Sequence, residues 1–267
     1  MIREPIAAGQ FYPGSLKGLR TMIESMVDDK PGRIEAIGVI APHAGYIYSG
    51  MVAGAVLSKI KFGDTFVILG PNHTGRGKSF SIMTEGTWIT PLGETEIDSG
   101  LGKRILASSS HLEEDCTAHQ FEHSLEVQVP FLQYFKPDVR IVPIVLAHTR
   151  GNVYKRIGKE LAAAIKESKK KVTILASSDM THYEPQESAR KKDSKAIEAI
   201  LNLDEDELLR RVADLDITMC GYAPVVSLIS AAKEMGAKKA ELVKYQTSGD
   251  ASGDYSSVVG YAGILIK

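Results

Sequence analysis

The chain has 267 residues, 43% of them hydrophobic and 24% charged, which suits a globular protein long enough to bury a large core. Thirty-two basic residues against thirty-three acidic ones leave a formal net charge of -1, so neither a nucleic acid nor an anionic membrane is an expected partner. Two cysteines, Cys116 and Cys220, are too few for a secreted disulfide framework. The opening residues Met1-Ile2-Arg3-Glu4-Pro5 lack a signal-peptide apolar run, and no stretch reaches the ~18 apolar residues of a membrane span, so a cytoplasmic protein with reduced thiols is expected.

In chain order, the apolar run 34–41 reads as the first buried strand and 49–60 as an amphipathic helix; a second strand follows at 65–70. Region 79–98 has short alternating pieces around Pro91-Leu92-Gly93 and predicts a hairpin excursion, and the polar stretch 108–122 predicts a loop. Helix 124–135, strand 139–147, helix 152–168 and strand 172–177 come next. Helices 186–202, 205–213 and 221–235 follow, with the acidic run 204–207 suited to a helix start and Gly236 to a C-cap. Strands 240–246 and 257–266 close the chain, joined by a glycine-rich connection at 248–255 that is expected to rim the site and is not a phosphate loop, since no Gly-Lys-Ser/Thr follows.

Runs of Val and Ile that are apolar on nearly every residue suit strands covered on both faces. Their alternation with helices predicts an α/β sandwich with a mostly parallel or mixed central sheet. No linker or internal repeat divides 1–267, so one domain is expected, with two intertwined halves as the alternative.

Three predicted strands run into histidine-bearing turns: Pro42-His43-Ala44-Gly45-Tyr46, Pro71-Asn72-His73-Thr74-Gly75, and Ser178-Asp179-Met180-Thr181-His182. A lone loop histidine is more often a turn residue than a ligand. Repetition at strand ends argues for a shared polar cleft, because open α/β sheets bind ligands beyond the carboxyl ends of their strands. Cys220 stands before the predicted helix 221–235 and has two readings: a thiol drawn toward thiolate by the helix start, or a small buried apolar residue. Two imidazoles and a thiolate suit zinc, iron or copper better than magnesium or calcium. The run Cys116-Thr117-Ala118-His119-Gln120-Phe121-Glu122-His123 offers a rival local set through Cys116, His119 and His123, without a standard zinc-finger pattern. His123 and Glu126 lie one helical turn apart. They are expected beside the main cleft as supporting or acid–base groups, the alternative being that Glu126 only orients His123.

Arg3-Glu4-Pro5, Ala8-Gly9-Gln10-Phe11-Tyr12-Pro13, Pro42-His43-Ala44-Gly45-Tyr46 and Gly70-Pro71-Asn72-His73 resemble the Memo-like family. So do Glu122-His123-Ser124-Leu125-Glu126-Val127-Gln128, Ser177-Ser178-Asp179-Met180-Thr181-His182-Tyr183, Cys220-Gly221 and Gly260-Tyr261-Ala262-Gly263. These motifs span nearly the whole chain; prokaryotic members are also called protein B of the AmmeMemoRadiSam system. The resemblance implies a fold similar to class III extradiol dioxygenases, non-haem iron enzymes with two histidines and a glutamate on the metal.

Carried over, it implies His43, His73 and Cys220 as metal ligands, His182 as acid–base group with Asp179 nearby, and His123 and Glu126 facing the pocket. Iron is the implied cofactor, with copper or zinc as alternatives. A thiolate in place of the carboxylate is softer and itself oxidisable, so ring-opening chemistry does not transfer with the fold. Three functions follow as expectations: a metal-dependent redox protein acting on a small molecule, a peptide- or protein-binding module on a dioxygenase-derived scaffold, and a zinc-dependent hydrolase. A radical-enzyme partner follows from family association.

Overall fold

The four runs expected to carry the site lie side by side. Gly38–Ala41, Val172–Ser177, Thr65–Pro71 and Arg140–Leu146 pair in that order, all parallel, in a computed structural model describing residues 1–28, 32–149 and 152–267. All but the first residue of the last strand are buried, as a doubly covered parallel sheet requires. The strand Val258–Ile266 flanks this centre antiparallel to Gly38–Ala41, with Ala240–Thr247 and His182–Glu184 paired to it. On the other side Phe80–Ile82 runs antiparallel to Arg140–Leu146 and carries the short strand Glu113–Glu114. The sheet is mixed, as expected, with nine strands among the described residues.

Alternating side chains feed two cores. Val67, Leu69, Val142, Ile144, Ile174 and Ala176 pack on one face with Tyr154, Ile157, Leu161, Val225 and Ile229 of the helices Val153–Ser168 and Tyr222–Glu234. Phe66, Ile68, Ile141, Val145 and Leu175 pack on the other, with Ala53 and Leu57 of helix Tyr46–Ser58 and Phe131 of helix Val129–Phe135.

Several expected elements change. The strand at 34–41 is trimmed to Gly38–Ala41, because Ile34 exchanges backbone hydrogen bonds with Lys59 and Lys61 instead of joining the sheet. The single helix at 124–135 is two pieces, His123–Glu126 and Val129–Phe135; Pro130 has no N–H for the Glu126 carbonyl, so the ladder breaks there. Region 108–122 holds a one-turn helix, Thr117–Gln120, besides Glu113–Glu114. Two helices passed over in the sequence are Leu16–Glu24 and Ser99–Ser108, N-capped by Ser15 and Asp98.

The expected hairpin forms: Thr87–Thr90 pairs antiparallel with Gly93–Glu96. It does not stand alone, because Ile2–Arg3 lies parallel to Thr87 and Trp88 and completes a small three-stranded sheet. That pairing brings the N-terminal residues beside the segment leading into the site. No helix among the described residues is long and apolar enough to cross a membrane.

Candidate metal centre

Beyond the carboxyl ends of the four parallel strands lies a cavity of about 650 Å3, lined by His43, His73, His123, His148, His182 and Cys220 among others. Each parallel strand delivers a histidine within a few residues of its end. His43 follows Ala41, His73 follows Pro71, His148 follows Leu146, and His182 lies five residues beyond Ser177. His148 was missed in the sequence, although it repeats the signal that singled out the other three.

Three imidazoles converge. The ring centroids of His43 and His73 are 5.2 Å apart, those of His43 and His123 5.5 Å, and those of His73 and His123 4.8 Å with the rings stacked. One nitrogen from each lies within 4.8 Å of the others, a set that could hold a metal ion.

Hydrogen bonds place the ring hydrogen of His43, His73, His148 and His182. His73 Nδ1 lies 2.8 Å from Glu122 Oε1, and the His73 backbone N–H donates to Glu122 Oε2 at 2.7 Å. A carboxylate only accepts, so His73 Nδ1 carries the hydrogen, and in the neutral ring Nε2 is the nitrogen with the lone pair. The hydroxyl of Ser177 donates to the Ser124 carbonyl at 2.7 Å, so its oxygen accepts from His43 Nδ1 at 2.9 Å. His43 Nε2 is therefore also bare, and it faces Cys220 Sγ at 3.3 Å. His182 Nδ1 donates to the Thr218 carbonyl at 2.9 Å, so in the neutral ring Nε2 is the nitrogen with the lone pair. His148 is the reverse: its Nε2 donates to the Cys220 carbonyl at 3.1 Å while the ring packs on Tyr222.

Charge follows this geometry. Burial pushes His43 well below its ordinary pKa, helped by His73, His123 and His182, so it stays neutral and able to ligate. His123 is lowered by burial against an opposing pull from Glu122. Burial works to raise Glu122, but the hydrogen bond and charge of His73 and the N–H of Ser124 outweigh it and hold the carboxyl down at about 2. Asp179 goes the other way: burial raises it to about 6, although its Oδ1 accepts from the His43 N–H at 2.7 Å.

Cys220 precedes helix Tyr222–Glu234, and of its two expected readings the thiolate-favouring helix start does not hold. Instead burial and the Asp179 carboxylate push the thiol well above its ordinary pKa. Its sulfur accepts from the Asp179 N–H at 3.3 Å and stands at the edge of the histidine group, next to His43.

The remaining expected residues lie elsewhere. Glu126, expected as an acid–base group, points away from the cavity. Its Oε2 accepts from Arg3 Nη1 at 2.6 Å and the Ile6 N–H at 3.0 Å, and its Oε1 from the Ala7 N–H at 2.9 Å and the Tyr12 hydroxyl at 2.6 Å. A carboxylate with four donors is committed to holding the fold. The rival set of Cys116, His119 and His123 does not assemble. His119 is wholly buried edge-on to Trp88, Cys116 lines a separate cavity beside Met1 to Glu4, and the chain breaks helix between His119 and His123. The connection 248–255 forms the one-turn helix Gly249–Ser252 and does not line the cavity. Glu122 was overlooked; its only signal was its place before His123, in a stretch too polar to read as an element.

Residues 3–265 match the family model described as Memo-like protein. The chain belongs to the Memo-like family. It is 47% identical to a MEMO1 family protein of Methanococcoides burtonii over the full length of both chains. It is 44% identical to a MEMO1 family protein of Desulfurococcus amylolyticus, covering 98% of each. Among solved structures, the uncharacterized protein JW3007 from Escherichia coli K12 shares the fold, with a TM-score of 0.59 at 14% identity over 85% of this chain and 98% of that one. The Memo-like assignment and the α/β fold thus stand as the sequence motifs implied.

Proposed function

We propose that this Memo-like chain is a metal-dependent redox protein, its ion held by His43 and His73 with a third donor from His123 or Cys220. Iron is the first choice and copper the alternative; zinc, which has no redox chemistry, would fit the hydrolase reading instead. The observation that carries this reading is the shared arrangement of His43 and His73: each has Nδ1–H bound to an acceptor, which leaves Nε2 unprotonated at the cavity. Metal-binding histidines characteristically have their second nitrogen engaged in this way. The nitrogen and sulfur donors suit a transition metal rather than magnesium or calcium. Bound iron or copper would supply one-electron chemistry and Lewis acidity.

The chain's own residues supply the rest. His182 Nε2, bare and facing the cavity, accepts a proton from a bound ligand. Asp179, near neutrality in its pKa, holds the His43 loop through the backbone. Phe11, Tyr183, Tyr222, Ile217 and Met219 give the cavity its apolar walls, and no lysine or arginine lines it among the described residues. These walls suit a small organic molecule or a peptide side chain without a strong negative charge.

Metal analysis of untagged protein purified without oxygen tests the proposal. Iron or copper at a substantial fraction of one per chain, lost in His43→Ala and His73→Ala, supports it, whereas zinc alone would point to the hydrolase reading. Absence of metal together with no uptake on titration refutes it. Peptide binding that survives both substitutions would favour the binding-module reading instead.

A further inference from the structure

We infer that Arg3, remote from the cavity in sequence, is a positioning residue for the histidine wall, acting through the segment that carries Glu122 and His123. The side chain is buried and its donors are spread across that segment. Nε donates to the His119 carbonyl at 2.8 Å, Nη2 to the Glu122 carbonyl at 2.8 Å, and Nη1 to the Glu126 carboxylate at 2.6 Å. The guanidinium also lies over the Trp88 ring, 4.2 Å from its centroid. One planar group thus ties together three points of the segment 119–126, which is not held by a continuous helix.

The middle point is the one that matters. The carbonyl gripped by Nη2 belongs to Glu122, whose two carboxylate oxygens take the backbone and the ring of His73. His123 is the next residue, its Nδ1 3.6 Å from the same carboxylate. The other face of His123 is set by the same ion pair from the opposite side. Glu126 accepts from Ile6, Ala7 and Tyr12, and the strap between them delivers Phe11, whose ring centroid is 4.6 Å from that of His123. The Phe11 carbonyl then accepts from the Tyr46 N–H at the start of the helix that follows His43. Arg3 and Glu126 together fix the wall from behind and the aromatic lid of His123 from in front. A lysine could keep the charge opposite Glu126 but not the fork that reaches two carbonyls at once.

The consequence for metal affinity rests on the function proposed above, so the test has two independent readouts. The first is the imidazole 15N spectrum of metal-free protein. Wild type is expected to show His73 as a single Nδ1–H tautomer with a slowly exchanging ring proton. Arg3→Lys is expected to mix the tautomers and speed that exchange about tenfold or more. Glu126→Gln, which leaves the two carbonyl contacts of Arg3 in place, is expected to keep the His73 signal and shift only that of His123.

The second readout is cobalt(II) titration, where Arg3→Lys should weaken binding by about 10–100-fold, the range for loss of a group that orients a ligand. A folded Arg3→Lys protein with unchanged His73 and His123 signals overturns the inference. If Arg3→Lys does not fold, Arg3→Gly titrated with methylguanidinium replaces it, and recovery of the fold without recovery of the His73 signal overturns the inference equally. Wild-type protein that binds no cobalt would remove the metal reading while the 15N comparison still decides the role of Arg3.

Discussion

Stability should fall in mild acid because of His119, a residue outside the cavity. Its ring is fully buried. Burial is the main cause that lowers its pKa from 6.5 to about 3; Arg3 adds to it, and Asp115, the Ser81 backbone and Glu122 oppose it. The unfolded chain takes up a proton at His119 as the pH drops through 6.5, while the folded chain does not until about 3. The neutral-imidazole contribution is therefore whole above pH 6.5 and shrinks as the pH falls toward 3, by about 1.4 kcal/mol per unit. From pH 7 to pH 4 the loss is roughly 3 kcal/mol, a large share of the 5–15 kcal/mol typical of a domain.

Replacing His119 by Leu removes the titration while keeping an apolar contact for Trp88. Urea unfolding followed by circular dichroism at pH 7, 5.5 and 4 measures the difference. The gap between His119→Leu and wild type should move in favour of the variant by about 3 kcal/mol over that range. Parallel stability–pH curves for the two proteins would refute the reasoning.

Three further outcomes follow. Gly221→Ala would place a Cβ 2.4 Å from both the Ser177 carbonyl oxygen and Ser178 Cβ, so the start of the helix beside Cys220 must shift; a loss of about 1–3 kcal/mol in urea unfolding is expected, with weakened cobalt binding. Glu122→Gln removes the acceptor-only partner that fixes His73, and should raise the cobalt dissociation constant about 10–100-fold while the cavity fold, read by circular dichroism, is kept. Asp98→Ala loses the N-cap of helix Ser99–Ser108 and the bonds from Thr65 and Lys170, and should lower the midpoint of thermal unfolding through about 1–2 kcal/mol without changing metal uptake.

The sheet and the strand-end histidines were legible because they are local signals. A Val- and Ile-rich run followed within a few residues by a histidine is a local pattern, and His43, His73 and His182 stand where it points. His148 carries the same pattern at the end of Arg140–Leu146 and could have been read with them. What the sequence hides is partnership at a distance. Glu126 shares a motif with His123, yet its oxygens are taken by residues 114 to 123 positions away, Arg3 of a two-residue strand and Ile6, Ala7 and Tyr12 of the loop after it, which no periodicity announces. Glu122 was hidden for the same reason, since its value lies in meeting His73, 49 residues earlier. Local reasoning left Cys220 open between a thiolate and a buried thiol; burial beside Asp179 outweighs the helix start.

Anomalous diffraction at the cobalt edge, from crystals grown with cobalt(II), tests the central claim most directly. A single strong peak about 2.0–2.1 Å from the Nε2 atoms of His43 and His73, with His123 or Cys220 completing the set, is the expected result. Full occupancy at some other group of side chains, with these two rings still paired only to protein, would contradict it.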